Sequence, residues 1–566
     1  HHVSQAGVER TLPMSTIYGF NGTFPGPRIN AEYGKPALVR FENHLDENPY
    51  GLDRQDFGAP DWSFLTHLHN GHTAPESDGN PHYSMRFGPK HEGYLPKMFV
   101  DNLYLNWPAG GDDREKQSFF WFHDHRMDHT GSNVYKGMVG LYPIYDPKEY
   151  VKGAGMFDGG DERQGLHLPG VRTDNGDGSF DVDYDIPLAF YDVRLDDGVT
   201  THKDIHDTEF PAAGNPRTHP EWWGKSFFKH FPNHGFVGDI FTVNGTAYPT
   251  LHVKRRKYRF RFLDASIARI YEFKLMSSTK GPKAAKDLGY TGDELQGQYR
   301  IPDGQQCMRF TQIASDGGLL PKPIVRDSFE LWPAKRREFV VDFTKYQDGT
   351  PTTAGDVIYL TNIMKMGDGR MWSTSSRSSL DPGYKVPVMK IVIEEAVPDY
   401  SKIPTKMRAL PPLPSNWKNL VNDRLIFEVQ RGGSGGETEW LINGTPFTPE
   451  TIQTSLKNPA GKTPLAQQKK GSFNIWEVRN GGGGWVHPFH FHMEEHRTVM
   501  RNGKDVSTTA PSYSPEDKSR EDLVNLDPGE SVMIYRGFRD FTGPYVAHCH
   551  NLAHEDHAMM FGWEIT

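Results

Sequence analysis

Hydrophobic and polar positions alternate with a period of two residues along many short stretches of the chain. Two examples are residues 257–264, Lys-Tyr-Arg-Phe-Arg-Phe-Leu-Asp, and residues 473–480, Phe-Asn-Ile-Trp-Glu-Val-Arg-Asn. Successive side chains of a β-strand point to opposite faces, so this alternation predicts half-buried strands separated by turns. Helices are expected to be few and short, with one candidate at residues 449–456. The pattern therefore predicts an all-β protein.

An Asn-Gly-Thr triplet occurs three times, beginning at Asn21, Asn244 and Asn443, and each copy precedes a predicted strand. A second echo relates residues 331–341 to residues 526–534, where a Pro-containing turn leads into a strand. Asn-Gly favours tight turns, so we interpret the triplets as structural turns, although each also matches the N-glycosylation sequence. The repeats predict three copies of one β-sandwich of Greek-key type.

Shifts in composition suggest where these units begin and end. The Gly- and Asp-rich stretch 153–179 is predicted to be a surface linker before a strand at 186–191, and the Pro-rich stretch 397–414 separates the last two units. Residues 50–100 form an insertion rich in Gly, His and Pro, which we interpret as a functional loop, plain packing or an oligomer contact. The predicted units are residues 1–180, 181–396 and 397–566.

Composition excludes several classes of partner. The 566 residues include 58 Gly and 42 Pro, which suits several turn-rich β domains. A formal net charge of -9 offers no basic surface for nucleic acid or anionic lipid, and no apolar run approaches the length of a membrane span. The start of the chain shows no signal peptide, which leaves the compartment open. We favour a secreted, periplasmic or cell-surface location slightly over the cytoplasm.

The segment 545–559 is rich in soft metal donors, which are His548, Cys549, His550, His554 and Met559. One thiolate, two imidazoles and a weak axial thioether are the ligands of a trigonal copper site. The apolar run before Cys549 predicts a strand that ends there, so alternation turns Cys549 one way and its two neighbouring His the other. One tripeptide can thus serve one copper with its middle residue and two others with its flanks. This gives a short covalent route for electrons between two metal sites.

Histidines two positions apart occur in four pairs, namely His67/His69, His123/His125, His490/His492 and His548/His550. Chance gives roughly one such pair in a chain of this composition, and each pair here flanks or ends a predicted strand. The four pairs supply the eight His that a cluster of three copper ions needs. His487, His554 and Cys549 supply the two His and one Cys of a further, single copper site. Zinc takes four ligands, so the donor set favours copper.

Cys307 is the only other cysteine. If Cys549 holds copper, an intrachain disulfide is excluded, and we interpret Cys307 as a small buried apolar residue. The remaining His, such as His72, His82, His129 and His557, are expected at the surface or in support of the metal ligands.

These motifs resemble those of the three-domain multicopper oxidases, and the resemblance covers essentially the whole chain. The segments 315–321, 257–261 and 554–556 are most similar to the branch of the spore-coat laccases, bilirubin oxidases and phenoxazinone synthases. The resemblance implies three cupredoxin-like domains and four copper ions per chain. It also implies that the first and third units provide the ligands at their interface. The middle unit carries no such motif and is predicted to be a spacer on the substrate side.

The resemblance assigns a role to each donor. His487, Cys549 and His554 match the type 1 copper ligands, with Met559 as the axial ligand. His67 and His490 match the type 2 ligands. The type 3 pair matches His69, His123, His125, His492, His548 and His550.

Two carboxylates are predicted to deliver protons. Reduction of O₂ to water consumes four protons, which a carboxylate beside the cluster can relay. Asp78 and Glu555 match the acidic residues that do this in the spore-coat laccase branch. Asp124 is an alternative, although alternation turns it away from the neighbouring ligands.

The resemblance implies one-electron oxidation of phenols, aminophenols or bilirubin-like pigments, with O₂ as the acceptor. Three alternatives are a phenoxazinone-synthase-like o-aminophenol oxidase, a cuprous or other metal-ion oxidase, and a non-catalytic copper carrier. A metal-ion oxidase typically has a Met-rich segment, to which Met364-Lys-Met366 and Met559-Met560 come nearest. A carrier needs only the type 1 site. The pocket walls are predicted at 367–379 and in the insertion, and a monomer and a homo-oligomer are both compatible with the sequence.

Overall fold

A computed structural model gives the structure of this chain. The residues that it describes are 2–5, 8–45, 63–81, 94–147, 156–196, 198–199, 235–288, 299–366, 369, 385–432, 439–447, 465–481, 483–507 and 519–566. The helix predicted at 449–456 and most of the predicted pocket wall 367–379 lie outside these residues. The insertion is described at 63–81 and from residue 94 onward.

The first sandwich combines a four-stranded sheet, in the order β3-β8-β7-β5, with the antiparallel pair β4-β6. Its buried core includes Phe41, Phe64, Leu68, Phe122 and Tyr142. Two further hairpins, β1-β2 and β9-β10, lie outside these sheets. The strands are β1 (His2–Gln5), β2 (Val8–Thr11), β3 (Ala31–Glu32), β4 (Ala37–Glu42), β5 (Thr66–His69), β6 (Phe99–Tyr104), β7 (Phe119–Asp124), β8 (Val139–Tyr145), β9 (Val171–Asp174) and β10 (Phe180–Asp183).

The middle sandwich packs the sheet β13-β12-β11-β15-β23-β20-β21 on the sheet β14-β25-β24-β16-β19, with β22 beside β16 and a separate pair β17-β18. Aromatic side chains fill its core, and Cys307 lies buried among them without a disulfide, as predicted. Its strands are β11 (Asp185–Val193), β12 (Ile240–Val243), β13 (Thr246–Ala247), β14 (Thr250–Val253), β15 (Lys257–Asp264), β16 (Tyr271–Ser277), β17 (Lys283–Ala284), β18 (Tyr299–Arg300), β19 (Gln305–Met308), β20 (Phe310–Ser315), β21 (Gly318–Arg326), β22 (Phe329–Leu331), β23 (Arg336–Asp342), β24 (Val357–Asn362) and β25 (Val386–Ile393).

The third sandwich packs the sheet β27-β26-β29-β34-β31-β32 on the sheet β28-β36-β35-β30-β33. Cys549 and Met559 belong to its buried core. Its strands are β26 (Leu425–Gly432), β27 (Glu439–Ile442), β28 (Ala466–Gln468), β29 (Ser472–Asn480), β30 (His487–Phe491), β31 (His496–Arg501), β32 (Lys504–Asp505), β33 (Leu523–Leu526), β34 (Ser531–Phe538), β35 (Gly543–Cys549) and β36 (Met560–Ile565).

Helices are short, as the sequence predicts. The described residues contain α1 (Thr130–Lys136) and α2 (Leu552–Glu555), and the helix α2 carries His554 and Glu555. No helix among the described residues is long and apolar enough to cross a membrane. Single turns of 3₁₀-helix occur at Phe20–Gly22, Pro75–Ser77, Ala109–Gly111, Asp113–Glu115, Ala285–Leu288 and Trp417–Val421.

The three Asn-Gly-Thr triplets are structural turns, as predicted. Asn21, Asn244 and Asn443 all have positive φ (54°, 47° and 52°), and so do the glycines that follow them. Asn-Gly is the preferred dipeptide where two successive residues need positive φ. The amide oxygens of Asn244 and Asn443 also accept hydrogen bonds from the backbone of a neighbouring strand, at Ala189 and Glu428 respectively. The repeat therefore fixes the same turn in each sandwich.

The prediction that 153–179 is a surface linker was wrong for its central part. Leu166 and Leu168 are buried in a cluster with residues of the middle sandwich. Glu162 is also buried and pairs with the equally buried Arg256. Burying two Leu side chains on an adjacent sheet stabilises the fold, and this keeps the segment packed although Gly and Asp residues surround them.

Candidate metal centre

A mononuclear donor set forms where β30 begins and β35 ends. The Cys549 Sγ lies 3.5 Å from the Nδ1 atoms of His487 and of His554, and these two nitrogens lie 3.1 Å apart. Ligands that each bind one metal at roughly 2 Å have about this separation from one another. Met559 is fully buried in the same core, and its carbonyl oxygen accepts a hydrogen bond from the Cys549 amide.

Two observations indicate that this set suits a soft cation. Burial raises the pKa of the Cys549 thiol well above its usual range and lowers the pKa of His487 to about 3. The His487 imidazole is therefore a neutral donor, whereas the Cys549 thiol needs a bound cation to become a thiolate in this environment. A Cys thiolate and two imidazoles, with Met559 in the same buried core, match the preference of copper.

Eight further histidines lie together between the first and third sandwiches, and all are fully buried. The Nε2 atoms of His125, His492 and His548 are 3.0 to 3.2 Å from one another. A second group contains His69, His123 and His550, in which the His69 Nδ1 lies 3.4 Å from the His123 Nε2. His67 and His490 form a third group that also includes His492.

The eight imidazoles are better suited to binding metal ions than to being protonated. Burial lowers the pKa of most of these imidazoles well below its usual value, so they stay neutral. Among the described residues, the Nε2 atoms of His67, His490 and His550 have no hydrogen-bond partner although they are buried. Such orphaned nitrogens are costly unless they bind a cation. Each group offers two or three lone pairs directed at a common point, so the eight His can hold three ions.

Carboxylates support the nitrogens that face away from the cluster. The Asp78 carboxylate lies 2.8 Å from the His492 Nδ1, and the Asp78 carbonyl oxygen accepts a hydrogen bond from the His67 Nδ1. The Glu555 carboxylate lies 2.9 Å from the His548 Nδ1 and 3.5 Å from the His125 Nδ1. Each of the two predicted carboxylates thus bridges two imidazoles, which fixes ring orientation and tautomer.

Asp124 has a different position. Its carboxylate accepts hydrogen bonds from the backbone of Leu65 and Arg126 and from the side chain of Asn133. It therefore braces the loop that follows β7, on the side predicted by strand alternation, and only its carbonyl oxygen contacts a ligand, at the His123 Nδ1.

Two supporting features were missed in the sequence analysis. Asp522 contacts His69 and His490 with its side chain and main chain. Trp440 packs on the His554 ring with a centroid separation of 3.9 Å, and the Asn551 amide nitrogen lies 3.1 Å from the His554 Nε2. Asn551 has a recognisable signal, since it follows His550 as an N-cap of α2, whereas Asp522 and Trp440 depend on strand pairing.

The fold and the two donor sets suit copper, and the strand β35 carries donors of both sets. Family models described as multicopper oxidase match residues 3–51 and 436–566. The chain is thus similar to the multicopper oxidases in both of these regions.

Comparisons over the full length agree with this similarity. The laccase of Bacillus subtilis (strain 168) is 28% identical over 99% of this chain and 92% of its own length. The bilirubin oxidase of Albifimbria verrucaria is 28% identical over 98% of this chain and 74% of its own length. A multicopper oxidase variant from Aquifex aeolicus has the same fold, with a TM-score of 0.62 and 21% identity, over 95% of this chain and 89% of the other.

Proposed function

We propose that the chain is a laccase-like oxidase that takes single electrons from phenols, aminophenols or bilirubin-like pigments and reduces O₂ to water. We assign His487, Cys549, His554 and Met559 to a type 1 copper. We assign His67 and His490 to a type 2 copper. The type 3 pair is assigned to His69, His123, His125, His492, His548 and His550.

The observation that carries this proposal is the position of Cys549 between two cluster histidines. Cys549 contacts His487 and His554, while the adjacent His548 lies 3.0 Å from His125 on the opposite face of β35. The strand β30 repeats this arrangement, because it carries His487 at one site and His490 at the other. Cys549 is therefore bonded directly, through the backbone, to His548 and His550 of the other site.

Copper in these positions would supply one-electron oxidation at the mononuclear site and four-electron reduction of O₂ at the cluster. The chain contributes fixed donor geometry and exclusion of water, since every one of these imidazoles is fully buried. The Asp78 and Glu555 carboxylates contact ligand imidazoles directly, which supports their proposed part in proton delivery.

The electron donor is proposed to bind beside His487 and His554. Gly369, the one described residue of the predicted wall 367–379, accepts a hydrogen bond from the Val486 amide, directly before His487. Gly235 lies close to both Gly369 and the Asn551 side chain. Gly369 therefore lies beside the mononuclear site, which supports the assignment of 367–379 to one side of the donor pocket.

The nearest Met-rich segment offers little support for a cuprous-ion oxidase. Met364 and Met366 pack beside Val486, close to His487, but both are buried. The Met366 Sδ already accepts a hydrogen bond from the Ile270 amide. An organic donor is therefore the better-supported substrate class.

Oxygen uptake by the copper-loaded protein tests the substrate class. We expect rapid uptake with an o-aminophenol, a methoxyphenol or bilirubin and slow uptake with cuprous ion. A clear preference for the o-aminophenol would favour a phenoxazinone-synthase-like enzyme. A preference for cuprous ion would contradict the proposal and indicate a metal-ion oxidase.

A further inference from the structure

Asp522 lies directly before β33 and is fully buried beside the histidine cluster. Its carbonyl oxygen accepts a hydrogen bond from the His490 Nδ1 at 3.0 Å. Its Oδ1 lies 3.4 Å from the His69 Nε2 and 3.7 Å from the His490 Nδ1. One residue therefore contacts two imidazoles of different donor groups.

These contacts determine which nitrogen of each ring faces the cluster. A neutral imidazole has one N–H and one lone pair, and a hydrogen bond from the N–H to an oxygen leaves the lone pair on the other nitrogen. With its Nε2–H directed to Asp522, His69 presents its Nδ1 lone pair toward His123. With its Nδ1–H directed to the same residue, His490 presents its Nε2, which has no partner among the described residues.

A guanidinium from the middle sandwich holds this carboxylate in place. The Arg336 Nη1 donates to the Asp522 Oδ1 at 3.0 Å, and its Nη2 donates to the Asp522 Oδ2. The Arg336 Nε donates to the carbonyl oxygen of Phe119 in the first sandwich at 3.2 Å. Both charged groups are fully buried, and the bidentate geometry allows one orientation of the carboxylate. Arg336 thus joins all three sandwiches at the cluster.

The chain neighbours of these two residues face a cavity instead. Lys335, Arg337, Glu521 and Leu523 line a cavity of about 380 Å³ between the middle and third sandwiches, whereas Arg336 and Asp522 do not. Adjacent side chains at residues 335–337 point to opposite faces, which turns Arg336 away from the side of Lys335 and Arg337. The Arg336–Asp522 pair therefore does not line the cavity, and Asp522 contacts the histidines instead.

We propose that Arg336 and Asp522 form a positioning clamp by which the middle domain fixes His69 and His490 for metal binding. This inference rests on the proposed function, because it takes His69 and His490 to be copper ligands. It gives the middle domain a direct role at the metal centre in addition to that of a spacer. Residues that orient metal ligands typically change metal affinity by about 10–100-fold when they are replaced.

The test compares copper release from wild type, Asp522→Asn, Arg336→Lys and the control Asp527→Asn. Asp527 lies in the turn after β33, is partly exposed and lines the cavity, so its replacement removes a carboxylate on the cavity side of the clamp. Copper-loaded proteins are mixed with a chelator, and copper transfer is followed together with the visible band of the Cys549 site. We expect cluster copper to leave Asp522→Asn about 10–100-fold faster than wild type, with the visible band retained. Arg336→Lys, which keeps the charge but not the bidentate geometry, should also release copper faster.

The experiment distinguishes failure of the clamp from failure of the proposed function. Suppose that the wild type binds copper and that both clamp variants release it at the rate of Asp527→Asn. This result would overturn the clamp and leave the proposed function standing. A wild type that takes up no copper would overturn the proposed function and the clamp together. If Asp522→Asn does not fold, Arg336→Lys decides the matter by the same comparison.

Discussion

Cys549 is the residue through which the two candidate metal sites are connected. Replacement by Ser removes the soft thiolate donor, so we expect Cys549→Ser to lose the intense visible band of a copper–thiolate bond and roughly one copper per chain. Oxygen uptake with any organic donor should then become undetectable. Absorption spectra and copper quantitation measure both effects.

Cys307→Ser is the matched control for that substitution. Cys307 is buried in the core of the middle sandwich, away from both donor sets. It should keep the visible band and the copper content of the wild type. A Cys549→Ser protein that retains the band would contradict the assignment of Cys549.

Glu555 contacts two cluster imidazoles and accepts a hydrogen bond from the Thr130 hydroxyl at 2.8 Å. Glu555→Gln keeps the size of the side chain but cannot relay a proton as a carboxylate does. We expect kcat to fall by about 10²-fold or more, because general acid–base groups contribute factors of this size.

Anaerobic reduction of the Cys549 copper by the donor is the internal control for Glu555→Gln. This step occurs before proton delivery, so its rate should match that of the wild type. A kcat within twofold of the wild type, at equal copper content, would rule out a role of Glu555 in proton transfer.

The metal ligands could be predicted from the sequence because His and Cys are distinctive metal donors. Histidines two apart and a Cys between two His are visible without a structure. Asp522 could not be found in this way, because an isolated Asp is ordinary. Its contacts require the pairing of β30 with β33 and the approach of Arg336, which is 186 residues away in the chain.

The pairing of β30 with β35 brings the metal donors together over a buried aromatic core. Phe489 lies opposite Cys549 across the β30–β35 pair and is fully buried among aromatic side chains. Phe489→Ala should lower the free energy of unfolding of the third sandwich by about 3–5 kcal/mol, since a large core side chain is lost and a cavity remains. Denaturant unfolding of the copper-free protein measures this change.

Phe473→Ala is the control at the element scale, because Phe473 is 39% exposed on the same sandwich. Its effect should stay below about 1 kcal/mol. Equal destabilisation by the two substitutions would show that the third sandwich does not have the core described above.

Alternation predicted the strand that ends at Cys549 and the opposite orientations of Cys549 and His548. The prediction from composition failed in the stretch 153–179, where Gly and Asp dominate but Leu166 and Leu168 are buried against the middle sandwich. Composition reports the average exposure of a segment, whereas burial here depends on two side chains that meet a neighbouring sheet. A local pattern contains no information about that neighbour.

His72 connects the first and third sandwiches in the whole molecule. Its Nδ1 donates to the Trp107 carbonyl oxygen at 3.1 Å, and its Nε2 donates to the Glu495 carboxylate at 3.0 Å. Burial alone would lower the pKa of His72, but the charge of Glu495 and this hydrogen bond raise it to about 9. A raised pKa in the folded state means that the stabilisation is complete below the unfolded pKa of about 6.5 and is lost as pH rises toward 9.

His72→Gln should therefore lower the stability of the copper-free protein most at pH 6, by up to roughly 3 kcal/mol, and much less at pH 9.5. Melting temperatures of wild type and variant at the two pH values measure this dependence. The same decrease in Tm at both pH values would show that the His72–Glu495 contact contributes no charge-dependent stability.

At the largest scale, the sequence predicted three sandwiches because each repeats its own turn and strand pattern. The boundaries 1–180, 181–396 and 397–566 stay a prediction. The sequence could not predict that the middle sandwich reaches the histidine cluster through Arg336. Such a contact follows from how three domains pack, which the periodicity within each domain does not specify.

The ratio of O₂ consumed to electrons donated, measured together with copper per chain, tests whether the eight histidines form a trinuclear copper centre. The proposal predicts four copper ions per chain, one O₂ consumed for every four electrons taken from an organic donor, and no hydrogen peroxide. One copper per chain, or peroxide formed at two electrons per O₂, would contradict the assignment of the eight histidines to a trinuclear centre.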